Sequence, residues 1–192
     1  MADRFDDSDM KIVGRPATPA AQANEALRFI EYTSKEHFNG NFRKAKALGA
    51  NIVSAFSYRA APEELVSLIR AHGVEPTPAV IRQVRFLSVF SAQVAIENFL
   101  PSQLLSSVAM GELYDTLRLY SADFYEDLAK SGAFSFYNMT LSSLSDAADA
   151  IGRQFAVLCG QPDDPALVSL GAELHRLNLQ VYRKAINGYA FV

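Results

Sequence analysis

Glu97 is the carboxylate in this sequence with the clearest opportunity for chemistry, because it lies near the end of an almost entirely apolar stretch. That stretch runs from Val80 to Pro101 and reads VIRQVRFLSVFSAQVAIENFLP. A carboxylate in apolar surroundings must be paired, hydrogen-bonded or in reach of solvent. Glu97 is therefore either a structural group bonded to an arginine or a tyrosine, or a buried acid that lines a cavity between helices.

A second candidate region is the Tyr-rich helix 112–130, where tyrosines alternate with carboxylates. Tyr114 and Tyr120 join Glu97 as candidate ligand-binding residues, on the hypothesis of a pocket between this helix and the apolar stretch. A basic segment, 35–46, could provide a surface complementary to these carboxylates, within one molecule or between two. The alternative is that the charges of amphipathic helices simply face water.

Three aromatic residues, Phe134, Phe136 and Tyr137, follow closely after Gly132, which is a good residue for ending a helix. The segment 133–137 reads as a connection too short for a helix, and connections normally lie on the surface. Clustered aromatics on a surface indicate a contact site, so these three are the candidate interface residues. The alternative is that the segment folds back and closes the end of a helical bundle.

The remaining reactive side chains indicate no active site. His37, His72 and His175 are the only histidines, and we expect structural or exposed positions for them. Cys159 is the only cysteine and precedes Gly160 at a helix end, where the helix dipole raises a thiol pKa. The nucleotide-binding, zinc-protease, serine-hydrolase and CxxC patterns are missing, so we expect no cofactor and no metal.

Composition favours one globular domain. The 192 residues are 49% hydrophobic and 20% charged, which suits a sizeable core. The net charge of −3 argues against nucleic acid, and the single cysteine and acidic N-terminus favour the cytoplasm. Charged and polar interruptions make the apolar stretch a core helix and not a membrane span.

The spacing of apolar residues predicts an all-α fold, a bundle of about six or seven helices around a central apolar helix at 80–100. We expect an acidic, flexible tail at 1–18 and a single helical domain at 19–192. Leu87 and Val94, seven residues apart on the central helix, should both be fully buried.

Capping residues and prolines predict where the helices begin and end. The predicted boundaries are Thr18-Pro19 to Glu36, a second helix up to Tyr58, Pro62 to Gly73, a start at Thr77-Pro78, a stop at Pro101, and a stretch to Lys130 with a weak point at Gly111.

The C-terminal segment 140–187 carries two matched apolar seams, and each repeats every three or four residues. The seams are Leu141, Leu144, Ala148, Ile151, Phe155 and Leu158, then Leu167, Leu170, Leu174, Leu177 and Val181. The short connection between them, with Gly160 and Asp164-Pro165, predicts an antiparallel helical hairpin.

For function, the sequence favours a non-catalytic helical protein that acts through protein–protein contacts, as a homodimer. The alternative is a small-molecule-binding helical domain with its pocket between the central helix and helix 112–130. An enzyme comes third. A pocket of several hundred Å³ that contains Glu97 and a tyrosine would favour the second hypothesis over the first.

Overall fold

The computed structural model describes residues 19–54, 63–141 and 147–192, and these ranges form nine α-helices and no strand. The helices are α1 (Pro19–Phe38), α2 (Asn41–Ser54), α3 (Glu63–Ala71), α4 (Pro78–Phe99), α5 (Gln103–Tyr120), α6 (Ala122–Ser131), α7 (Ala133–Leu141), α8 (Ala147–Leu158) and α9 (Pro165–Gly188). The all-α prediction is confirmed, with more helices than the sequence indicated. The predicted tail 1–18, the helix end at Tyr58, the start at Pro62 and the seam residue Leu144 lie outside the described residues.

The chain divides into two compact units, Met1–Asn39 and Gly40–Val192. The described part of the first unit is α1 with Asn39, whose backbone N–H donates to the carbonyl of Lys35 at 3.0 Å. The second unit contains helices α2 to α9. A single domain over 19–192 stays a prediction.

Helix α4 is the centre of the second unit, as predicted. Thr77 caps its start by accepting from the backbone N–H of Val80, and Pro78 occupies the first turn. The helix ends at Phe99, two residues before Pro101. Leu87 is fully buried, but Val94 is only partly buried, which corrects the prediction of full burial.

Helices α6 and α9 pack on α4 through an aromatic contact and a hydrogen bond. Its Phe86 packs on Phe124 of α6 with ring centroids 5.5 Å apart. Its Ser91 hydrogen-bonds His175 of α9 at 2.8 Å.

Among the described residues, α4 alone is long and apolar enough to cross a membrane by length and composition, and 67% of its most apolar 18 residues is buried.

Glycines allow two helix pairs to approach closely. A side chain at Gly49 of α2 would collide with the backbone of α5 at Ala109, and one at Gly152 of α8 would collide with the backbone of α9 at Val168. Because only glycine leaves this space, α2 packs tightly on α5 and α8 packs tightly on α9.

Helices α8 and α9 form the predicted hairpin. Asp164 caps α9 by accepting from two backbone N–H groups, as its sequence position indicated. Arg176 of α9 donates to Asp149 at the start of α8, at 3.3 Å, while Gly171 lies against Phe155 towards the end of α8. The pairing therefore runs in opposite directions along the two helices.

The second half of the α9 seam was predicted wrongly. Leu177 and Val181 are 39% and 60% exposed, and Tyr182 and Ile186 are buried in their place. A straight α-helix drifts by about 20° per seven residues relative to a 3.5-residue repeat. The inward face therefore moves on by one residue over the length of this 24-residue helix.

The segment 133–137 was predicted to be too short for a helix, and this is wrong. Helix α7 extends it to Leu141, after Gly132 has ended α6 in the left-handed conformation. The predicted weak point at Gly111 is also not a break, since α5 passes through it and ends only at Tyr120.

Candidate functional site

A cavity of about 590 Å³ opens between the C-terminal end of α4 and the adjoining face of α5. Its nine lining residues come from these two helices and the corner between them. They are Gln93, Glu97, Leu100, Ser102, Gln103, Ser106, Ser107, Met110 and Tyr114. The structure thus brings two of the three predicted ligand-binding residues, Glu97 and Tyr114, to one pocket.

Helical spacing explains why these side chains share the cavity. Gln103, Ser106, Met110 and Tyr114 recur every three or four residues, so they project from one face of α5. Leu105, Ala109 and Leu113 are buried on a different face of the same helix. Helix α5 therefore turns its apolar face to the core and its polar face to α4.

A hydrogen-bonded relay joins the two helices across the cavity. The hydroxyl of Tyr114 donates to Oε1 of Gln93 at 3.0 Å, and Nε2 of Gln93 donates to Oε1 of Glu97 at 2.9 Å. An ionised carboxylate only accepts hydrogen bonds, so the amide nitrogen must face Glu97 and the amide oxygen must face the phenol. The relay therefore fixes Tyr114 as a donor.

The surroundings of Tyr114 also keep its phenol neutral. Burial raises the pKa of Tyr114 well above its ordinary value, and the negative charge of Glu97 raises it further. Glu97 itself is exposed to solvent at the cavity rim, where it accepts a hydrogen bond from Gln93. This position differs from the buried acid considered for Glu97, and its hydrogen bond comes from the amide of Gln93 and not from an arginine.

Serine hydroxyls form hydrogen bonds at the corner between α4 and α5. Ser106 is buried, and its hydroxyl lies 3.0 Å from the carbonyl of Ile96 on α4 and 3.1 Å from that of Ser102. Ser102 in turn caps α5 by accepting from the backbone N–H of Leu105. These bonds hold the start of α5 against the end of α4 at the corner between the two helices.

Tyr120 does not belong to this cavity. It is the last residue of α5, it is 75% exposed, and it is absent from the lining.

Several carboxylates of the Tyr-rich segment face solvent, as the simpler interpretation expected. Three of them form exposed ion pairs, namely Asp115 with Arg118, Glu126 with Lys130, and Asp127 with Arg82. Such pairs contribute little to stability.

The three candidate interface residues have different surroundings. Tyr137 is completely buried and stacks on Phe90 at 4.9 Å, and Phe134 packs edge-on against the same ring at 5.6 Å. Phe136 is 49% exposed, and Met139, its neighbour on the same helix face, is 69% exposed. Tyr137 therefore belongs to the core, and any contact surface on α7 consists of Phe136 and Met139.

The imidazole of His175 is buried, and the thiol of Cys159 is partly buried. His175 is almost completely buried between α9 and α4, where desolvation lowers its pKa to about 4, assisted by the charge of Arg176. Burial raises the pKa of the Cys159 thiol to about 12. The sequence predicted this direction from the helix dipole, whereas the cause in the structure is desolvation. Within the described ranges, no three His, Cys, Asp or Glu side chains lie together as a metal site would require.

Sequence reasoning missed most of the polar cavity wall, and two signals for it exist. Gln93 lies one helical turn before Glu97, a spacing that permits an amide–carboxylate bond. On α5, the polar residues Gln103, Ser106 and Ser107 replace the apolar residues that a helix beside the core would carry.

Comparison with known proteins adds no further candidate. No family model matches the sequence, and neither a curated protein nor a solved structure matches it.

Proposed function

We propose that this protein binds a small polar molecule in the cavity between α4 and α5. The observation that carries the proposal is a space of about 590 Å³ in which Glu97 and Tyr114 are joined through Gln93. Small-molecule sites typically have volumes of about 300–1,000 Å³, with a few polar groups in fixed positions. Both properties are present here.

The rigidity of the two walls supports the proposal. Half of the residues of α4 are buried, and α5 is held against α2 by the close approach at Gly49. Binding to a preformed site avoids the entropy cost of ordering it. A polar cleft between two helices held by the core therefore has the properties of a preorganised binding site.

The side chains of the wall favour binding over catalysis. The lining contains one carboxylate, Glu97, and no histidine, cysteine or lysine. The hydroxyls of Ser106 and Ser107 bond to backbone carbonyls and have no base beside them to activate them. The wall can orient and recognise a ligand, and it lacks the partners that a serine nucleophile needs.

Native mass spectrometry on the purified full chain tests this proposal, after incubation with a cell extract filtered to remove macromolecules. We expect a mass excess that corresponds to one small molecule per chain. In the variant Ser107→Phe, a large ring occupies the cavity from an exposed position on α5, so the bound mass should disappear.

The matched control is Ser67→Phe, which makes the same change at an exposed serine of α3. This control should retain the bound mass and should melt at the same temperature as Ser107→Phe. A wild-type chain that carries no added mass would contradict the proposal, as would a bound mass that survives in Ser107→Phe.

Self-association is a second candidate function, and one observation favours it. Phe136 and Met139 lie three residues apart on α7, so two large apolar side chains share one exposed helix face. Exposed apolar residues that cluster mark contact sites more often than single ones do.

The same native spectra test self-association. A dimer that returns to monomer in Phe136→Ser, with the melting temperature unchanged, would support contact through α7. The comparison variant Phe134→Ser changes a side chain packed on Phe90, so it should lower the melting temperature instead. A wild-type chain that is monomeric at all concentrations tested would exclude this candidate.

A further inference from the structure

The hydroxyl protons in the cavity wall are already used within the protein. Tyr114 donates to Gln93, Ser107 donates to the carbonyl of Gln103 at 2.9 Å, and Ser106 directs its proton to backbone carbonyls. A hydroxyl whose proton is bound presents only its oxygen lone pairs. These three side chains therefore offer acceptors, and not donors, to a molecule in the cavity.

The carboxylate of Glu97 adds further acceptor positions. It can accept about four hydrogen bonds, and Gln93 occupies one of them through Oε1. Among the side chains of the lining, those that still have protons to donate are the hydroxyl of Ser102 and the amides of Gln93 and Gln103, and all of them are uncharged. The wall thus has a surplus of acceptors.

Charge favours the same kind of ligand. Glu97 is the only charged side chain among the nine lining residues. The C-terminal end of α4 carries a partial negative charge and the N-terminal end of α5 a partial positive one, so the two helix ends largely offset each other. The carboxylate is therefore the dominant charge of the cavity.

From this surplus of acceptors around a single carboxylate, we infer that the ligand is a primary amine, bound as its ammonium ion. The inference rests on the proposed function of the cavity. A primary ammonium has three N–H donors, which suit Glu97 and the neighbouring hydroxyl oxygens. Leu100 and Met110 supply apolar wall for the short carbon chain that carries the amine.

A quaternary ammonium fits this wall less well. It has no N–H to donate and is typically recognised by several aromatic faces. Tyr114 is the only aromatic residue in the lining. The site should therefore discriminate between cations by their N–H groups as well as by charge.

A titration followed by two-dimensional NMR tests the inference on the full chain, with the side-chain amide signals of Gln93 and Gln103 as reporters inside the cavity. The probes are n-butylamine, tetraethylammonium and butan-1-ol, which separate N–H donors, charge alone and carbon chain alone. A Gly-Lys-Gly peptide with an acetylated N-terminus and an amidated C-terminus has the lysine side chain as its only amine. Binding of this peptide as tight as that of butylamine identifies a lysine side chain as the source of the ammonium, and much weaker binding identifies a free small amine. We expect saturable shifts with butylamine, and binding about tenfold weaker or worse with the other two small probes.

Two variants make the result specific. Glu97→Gln removes the carboxylate and should weaken butylamine binding by about tenfold or more. Glu75→Gln makes the same change at an exposed glutamate before the other end of α4, and it should alter the affinity less than about twofold.

Equal binding of butan-1-ol and butylamine, unchanged affinity in Glu97→Gln, or no shift with any amine would each overturn the inference. The binding function itself is judged separately, by the bound mass in the native spectrum. A bound neutral molecule or anion there would refute the amine and leave the pocket proposal standing.

Discussion

Two pairs of consecutive helices in this protein are joined by short connections and are built in opposite ways. In α8–α9, Gly152 and Gly171 let the helices approach until backbone and ring atoms touch. In α4–α5, polar side chains occupy the facing surfaces and leave a cavity of about 590 Å³. The difference shows that the residues on the facing surfaces, and not the length of the connection, determine whether a helix pair closes.

The two pairs also divide the energetic roles. Burial of apolar area is the main stabilising contribution to folding, and the hairpin supplies it through residues such as Ile151 and Phe155. The wall of the α4–α5 cavity consists mostly of polar residues, and its Glu97 is exposed to solvent. A binding site can remain open because neighbouring packed helices supply the stability.

The largest expected difference between the two pairs comes from shortening a side chain in each. Phe155→Ala empties a fully buried position of the hairpin and should cost about 3–5 kcal/mol of unfolding free energy. Met110 lines the cavity from a partly buried position, so Met110→Ala should lower the unfolding free energy clearly less than Phe155→Ala does. Urea denaturation of both variants checks this order, and equal losses would mean that the cavity wall is packed as tightly as the hairpin.

A second effect concerns acid. The pKa of His175 is about 4 in the folded chain and 6.5 when unperturbed, so protonation favours the unfolded state. The stabilisation from the neutral imidazole is complete above about pH 6.5 and is lost as the pH falls towards 4, in total about 3 kcal/mol.

The variant His175→Gln isolates this contribution, because glutamine does not titrate. The free energy of unfolding of the wild type should fall more steeply than that of the variant between pH 6.5 and 4.5. Parallel profiles would show that His175 is accessible to protons in the folded state.

Close approach in the hairpin predicts a third effect. Gly152→Ala places a Cβ against the backbone carbonyl of Val168, which cannot move cheaply, so we expect a loss of about 1–3 kcal/mol. Gly111→Ala on α5 has nothing within 4 Å and should stabilise the helix by about 0.5–1 kcal/mol. Thermal melts that show both changes with the same sign would contradict the contrast between the two regions.

The smallest effect is expected at the cavity rim. Glu97 is exposed, so Glu97→Gln should change the unfolding free energy by less than about 0.5 kcal/mol. The measurement is urea denaturation at neutral pH. A clear gain in stability would show that the carboxylate is strained in the folded protein, as acids retained for function often are. A large loss would make it a structural residue.

The sequence predicted the elements whose signals are local. Thr77-Pro78, Asp164-Pro165 and Gly132 marked true helix boundaries, because capping depends on neighbouring residues only. Helix α7 escaped prediction because its residues have modest helix propensity, and packing of Phe134 and Tyr137 on α4 stabilises it. Tertiary contact of that kind is not visible in a short window of sequence.

The candidate site was predictable only in part. An isolated carboxylate at the end of an apolar helix singled out Glu97, and the Tyr-rich segment singled out Tyr114. The structure places both side chains at one cavity. The cavity itself is formed by side chains of two helices and the corner between them, and no local pattern records how two helices pack. Tyr120 was misplaced for a related reason, since it lies six residues after Tyr114 and faces away from α4.

The most direct test of a binding site at the α4–α5 cavity is an NMR map of the chain with the small molecule retained in native mass spectra. If the molecule binds in this cavity, we expect saturable shifts of the side-chain amides of Gln93 and Gln103, with the backbone amides of α8 and α9 unchanged. Shifts confined to the hairpin, or to the exposed face of α7 around Phe136, would contradict it.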